Sequence, residues 1–182
     1  LRNPCRFTLP PGTSEVGIGD VGWRSWEEIN LIPDATTSPG LRNFGWPCFE
    51  NHAHVSEYTA RPLCAALYAN ADSGGRTPVS APFYAYQHTS NEAISGIVFY
   101  AGETWPSAYH NALFFADYIH NSIRVIKDTD QDGIPDPVAD SSAELFGQGN
   151  LGLVDLTTGP GDDVFFVDIN NGRIGRISWD TN

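Results

Sequence analysis

The sequence predicts an all-β chain built from small antiparallel sheets repeated along its length. Two observations carry this. With 18 glycines, 13 prolines and 12% aromatic residues, the composition favours short strands and many turns over long helices. In addition, three segments share one order: a strand, a tight turn, a strand ending in aspartate, a turn, and a closing strand.

The first copy runs through strand 7–9, turn 10–14, strand 15–20 ending in Asp20, and strand 28–32. The second uses strands 97–100, 113–117 ending in Asp117, and 123–126. The third uses 154–156, 164–168 ending in Asp168, and 174–177. In the last two copies an isoleucine, Ile123 or Ile174, follows six residues after the aspartate. The turns between contain His120-Asn121 and Asn170-Asn171-Gly172, residues that tolerate positive φ and join antiparallel strands. The shared aspartates are expected to accept turn N–H groups, a structural role.

Repeats of about 40–50 residues, each holding several short strands, point to a propeller of stacked sheets. The blade-like units are expected at about 1–46, 80–128 and 144–182. Asp20 and Asp117 lie almost twice as far apart as Asp117 and Asp168, so an insertion separates the first two copies. It falls at about 50–80, is rich in Ala, Ser, Gly and His, and reads as a long surface loop with one short helix at 62–69. Each blade buries its faces only by stacking on neighbours, so three blades leave two open edges. The remaining blades are expected from upstream chain, a nicked partner or a second copy.

The formal charge is −12 and Lys127 is the only lysine, which argues against nucleic acid as a partner. No apolar run reaches the roughly 18 residues of a membrane span. The chain has no methionine, so Leu1 reads as the start of a processed product or a fragment. Cys48 and Cys64 flank a short polar stretch; a disulfide closing that loop requires an oxidising compartment. Cys5 reads as a buried free thiol, or as the partner of a cysteine elsewhere.

Residues 128–136 carry acids at alternate positions before a glycine, the pattern of a calcium loop. The expected ligands are the side chains of Asp128, Asp130, Asp132 and Asp136 and the carbonyl of Ile134. Position 12 is Ala139 where a helical EF-hand has Glu, so the 128–140 hairpin is more like thrombospondin-type or dockerin-type loops, with Asp140 as a substitute. A solvated acidic hairpin is the alternative.

At the start, Arg2 beside Asn3 pairs a cationic fork with an amide, suited to a ligand bearing carboxylates and carbonyls. An ordinary turn before a strand is the alternative. With Gly19-Asp20-Val21-Gly22, Trp26-Glu27-Glu28-Ile29-Asn30-Leu31-Ile32 and Asn43-Phe44-Gly45-Trp46-Pro47-Cys48, this stretch resembles the soluble pyrroloquinoline-quinone (PQQ) sugar dehydrogenases and their glucose/sorbosone dehydrogenase relatives. The resemblance continues through 82–88, 95–100, 113–117 and 154–177, nearly the whole chain.

The resemblance implies the carboxy-terminal half of a six-bladed β-propeller, secreted or periplasmic, with this chain supplying about three blades. It implies a parent that oxidises an aldose by hydride transfer to PQQ, with Ca²⁺ polarising the quinone and a histidine as base. Arg2 and Asn3 match the family's PQQ-contacting pair. Gly22 and Trp23 match the pair whose backbone carbonyls hold the cofactor Ca²⁺. Three cationic positions of the family read Ile119, Gly152 and Val154 here. The base histidine belongs to the other half, and His52, His54, His88, His110 and His120 do not occupy its motif. This chain alone is therefore expected to be inactive. The alternative is a non-catalytic secreted propeller that serves as a binding or structural module.

Overall fold

Side chains alternate across a strand, so each short strand presents two faces and the faces decide how the sheets stack. The structure is a computed structural model and describes residues 1–37, 42–72 and 79–180. The chain opens with β1 (Pro4–Thr8), β2 (Val16–Asp20) and β3 (Trp26–Ile32), paired antiparallel in that order. The insertion follows, with the two-residue strands β4 (Phe49–Glu50) and β5 (Ala53–His54) and helix α1 (Pro62–Asp72). β6 (Tyr84–Gln87) then returns to pair with β3 and closes a four-stranded sheet. The second sheet joins β7 (Ile94–Phe99), β8 (Leu113–Asp117), β9 (Ser122–Ile126) and β10 (Glu144–Gln148). The third has three strands among the described residues: β11 (Leu153–Thr158), β12 (Val164–Asp168) and β13 (Arg173–Ile177).

The sheets therefore differ from the sequence-based repeat boundaries. Residues 84–87 and 144–148 complete the preceding sheet and do not begin the next one. The insertion is also more than a surface loop. Cys48 and Cys64 form the expected disulfide, and they pack with Phe49, Leu67 and Tyr68 in a small core of their own. Pro62 suits the first turn of a helix, where its missing N–H costs nothing, and Cys64, Leu67 and Tyr68 fall on one face of α1. The Tyr68 hydroxyl donates to the Cys48 carbonyl at 2.6 Å. Residues 73–78 of the expected insertion lie outside the described part.

The first strands of the three sheets lie side by side, β1 against β7 and β7 against β11. The second sheet is apolar on both faces. Ile97, Phe99, Leu113, Phe115 and Ile126 pack toward Ile29, Tyr84 and Tyr86 of the first sheet. Val98, Phe114, Ala116, Ile123 and Val125 pack toward Leu153, Leu156 and Val164 of the third. The far sides of the stack leave apolar side chains in solvent: Phe7 and Leu9 on the first sheet, Ile174 on the third, with Ile169 just beyond β12.

Each sheet repeats one device. The register of its first strand slips at Pro4/Arg6, Ile94/Gly96 or Leu153/Asp155, the mark of a β-bulge. The aspartate closing the second strand accepts an N–H from just before the first: Asp20 from Arg2 and Asn3, Asp117 from Ala93, Asp168 from Gly152. Asp117 and Asp168 also take N–H groups of the following turn, from His120 and Asn171. The residue after each aspartate closes the loop by donating its own N–H back: Val21 to Asn3, Tyr118 to Ala93, Ile169 to Gly152. The aspartates thus tie strand entry to strand exit, which is a structural role.

Candidate functional site

The turn after β2 is held by two buried carboxylates, Glu27 and Glu50, and a third, Glu28, holds the insertion beside it. Glu27, fully buried on β3, accepts the Gly22 N–H at 3.0 Å through one oxygen and the Ile94 N–H at 2.9 Å through the other. Its first oxygen also meets His88 Nε2 at 2.6 Å. Burial pushes the Glu27 carboxyl up to about 7, against the pull of the Ile94 N–H and the His88 ring. Glu50, on β4 of the insertion, takes the N–H of Trp23, of Arg24 and, at 3.1 Å, of Ser25. Glu28 takes the Asn51 N–H at 2.6 Å, and burial raises its carboxyl as well. The insertion is therefore the clamp that shapes this rim.

Gly22 is where the chain needs a glycine. A Cβ there would lie 1.7 Å from the Trp26 carbonyl oxygen, so no other residue fits the turn. Around it stand three rings, Trp23, Trp46 and Tyr58, with centroids 5.7–6.1 Å apart and edge-to-face geometry. Arg2 lies over Trp46 with its guanidinium carbon 5.7 Å from the ring centroid.

The structure brings Arg2, Asn3, Gly22 and Trp23 together on this rim. Arg2 Nη1 donates to the carbonyls of Val21 at 3.0 Å and Gly22 at 2.6 Å. Asn3 is exposed, and its side-chain amide has no hydrogen-bond partner among the described residues. With Arg2 so placed, a calcium ion on the Gly22 carbonyl would lie beside a guanidinium that already donates to that oxygen, a poor fit for a divalent cation. One guanidinium also meets no more than part of the charge of a tricarboxylate, and Ile119, Gly152 and Val154 add no cation.

A second histidine–carboxylate pair links His120 Nε2 to Glu92 at 2.6 Å; Glu92 also accepts from the Thr89 hydroxyl and N–H. This pair braces the 89–92 turn against the turn after β8. Cys5 is a half-buried free thiol whose S–H donates to the Ile94 carbonyl at 3.1 Å, and burial raises its pKa.

In the acidic hairpin, carboxylate oxygens of Asp128, Asp130 and Asp132 lie within 4.8 Å of one another. Asp128 is buried and takes N–H groups of Asp132 and Gly133 and the Asn111 amide. Asp136 turns instead to Thr129, accepting its N–H at 2.7 Å, and the Ile134 side chain is exposed. Asp140 faces away from the hairpin acids and joins the insertion to β6, accepting from the Asn51 amide at 2.7 Å and from the Ala85 N–H at 3.1 Å.

Sequence reading found the rim through Arg2-Asn3 and Gly22-Trp23 but missed Glu27, Glu50 and Glu92. Glu27 stands in a Glu-Glu pair inside an apolar strand, a signal of a buried acid with dedicated donors. Glu50 carries no local signal, because its donors lie far away in sequence.

No family model and no curated protein matches the sequence. Solved structures do match. A glucose dehydrogenase overlays with a TM-score of 0.67 at 20% identity, covering 98% of this chain and 44% of that one. The calcium structure of a Trichoderma reesei carbohydrate-active enzyme of family AA12 gives a TM-score of 0.67 at 14% identity, over 96% and 51%. The apo form of the soluble aldose sugar dehydrogenase of Escherichia coli gives 0.58 at 18%, over 92% and 42%. The chain is thus similar in fold to these proteins and spans about half of their length.

Proposed function

We propose that this chain is three blades of a six-bladed β-propeller, half of a secreted or periplasmic protein whose whole oxidises a sugar. What carries the reading is the repeated sheet device, overlaid along almost the entire chain on half of each sugar-dehydrogenase chain. The exposed Phe7 and Ile174 on opposite flanks support further blades on both sides, from the rest of the parent chain, a nicked partner or a second copy. The Cys48–Cys64 disulfide supports an oxidising compartment.

In the whole protein, Arg2 and Asn3 are the residues of this half that would face a quinone cofactor such as PQQ, which when bound would supply the hydride acceptor. Arg2 offers charge-assisted hydrogen bonds and Asn3 a free amide. The remaining positive charge and the catalytic base would come from the other half. In the acidic hairpin we propose a structural calcium ion on Asp128, Asp130 and Asp132, with the Ile134 carbonyl and Asp136 completing it once Asp136 leaves Thr129.

The test is dye reduction by the full-length parent, supplied with PQQ, a panel of aldoses and an artificial acceptor, with and without Ca²⁺. Turnover by the parent and none by this chain alone is the expected result. The engagement of Gly22 by Arg2 favours a second reading, a binding or structural propeller without catalysis. Absence of turnover in every arm would leave that reading standing and end the first.

A further inference from the structure

The rim carries its own cation. The Gly22 carbonyl is aimed by neighbours that leave it little freedom: Glu27 holds the Gly22 N–H and Glu50 the N–H of Trp23, both carboxylates being buried. The turn folds back so tightly on the Trp26 carbonyl that it admits glycine alone. Into this fixed direction Arg2 places Nη1, 2.6 Å from the Gly22 oxygen and 3.0 Å from that of Val21. The Arg2 backbone is fixed too, its N–H donating to Asp20 at 2.9 Å, and its guanidinium rests over Trp46. No carboxylate side chain pairs with that guanidinium among the described residues, so two carbonyl dipoles and one ring face balance its charge.

A divalent ion on the same oxygen would sit in contact range of a guanidinium that no carboxylate pairs with directly among the described residues, Asp20 holding the Arg2 backbone instead. Even in screened surroundings such repulsion lowers affinity by about tenfold or more. We propose that the Arg2 guanidinium is the resident cation of the Gly22 carbonyl in this protein. The rim then takes its ligand, an organic molecule bearing carboxylate or carbonyl oxygens, on Arg2 and Asn3 without a divalent metal. This rests on local geometry and stands apart from the sugar-oxidation reading.

Terbium luminescence tests it, because terbium replaces calcium on oxygen ligands and the Trp23 indole lies next to the carbonyl in question. The background is Asp130→Asn with Asp132→Asn, which silences the acidic hairpin. In that background, excitation of tryptophan is expected to give no sensitised emission, and adding Arg2→Met is expected to create a site at least about tenfold tighter. Emission with Arg2 present, unchanged by Arg2→Met, overturns the proposal; so does silence in both proteins. Circular dichroism of each variant controls for folding, and Arg2→Lys, which keeps a charge, is expected to stay silent. None of these readouts depends on dye reduction, so this proposal and the sugar-oxidation reading fail separately.

Discussion

Replacing Glu27 by glutamine is expected to reduce a pH-dependent loss of stability. Folded Glu27 holds its proton up to about pH 7, while the ordinary value is 4.5. Between those limits the folded protein binds more protons than the unfolded chain, so protonation favours folding and stability falls as pH rises through the window. The window is about 2.5 pH units wide and each unit is worth about 1.4 kcal/mol, which gives about 3.5 kcal/mol over the whole window. Urea unfolding of this chain at several pH values from about 5 to about 7 measures it. Wild type should lose stability as pH rises, and Glu27→Gln should lose about 2 kcal/mol less over that span, which covers most of the window. Glu15, Asp20 and Glu28, also raised by burial, leave a slope of the same sign in the variant. Parallel slopes for the two proteins would refute the argument, since the carboxylate would then hold its proton equally well in the folded and unfolded states.

Other outcomes are open to measurement. Calcium should raise the melting temperature of the chain and EDTA should reverse it, an effect lost in Asp130→Asn with Asp132→Asn; a melting temperature indifferent to calcium removes the hairpin site. Reducing the Cys48–Cys64 bridge, whose cysteines are 16 residues apart, should cost about 3 kcal/mol, read by unfolding with and without reductant. Phe114→Ala, at a fully buried position between the second and third sheets, should cost about 3–5 kcal/mol. A cost below about 1 kcal/mol would mean that the interface closes over the gap.

Much of the architecture can be read along the chain because its signals are local. Asn121 adopts positive φ in the turn where its residue type foretells it, and the aspartate of each copy marks the end of a second strand. The helix of the insertion is also legible, though it runs to Asp72, three residues past the expected end. The fourth strands are not. Tyr84–Gln87 pairs with β3 only after the chain has passed through the whole insertion, and Glu144–Gln148 has just two large apolar residues, adjacent and not alternating, so neither advertises its partner. The rim is half legible: its glycine, tryptophan and arginine stand out as residue types, whereas the carboxylates that orient them act across the fold. The engagement of Gly22 by Arg2 follows from the β1–β2 pairing, which sets the entry of one strand beside the exit of the other, but the side-chain direction that completes it is not encoded in residue type.

The middle sheet differs from its neighbours in one respect, having both faces covered. Leu113 to Ala116 are buried on alternating sides, so exposing either face to water costs apolar burial. Local opening therefore starts at the flanks, and amide hydrogens of β8 should exchange with solvent only when the entire chain unfolds. β13 lacks a second partner strand among the described residues, and its outward amides should exchange orders of magnitude sooner. Deuterium uptake would then draw a gradient of persistence across the stack, highest at its centre, and added blades would flatten it.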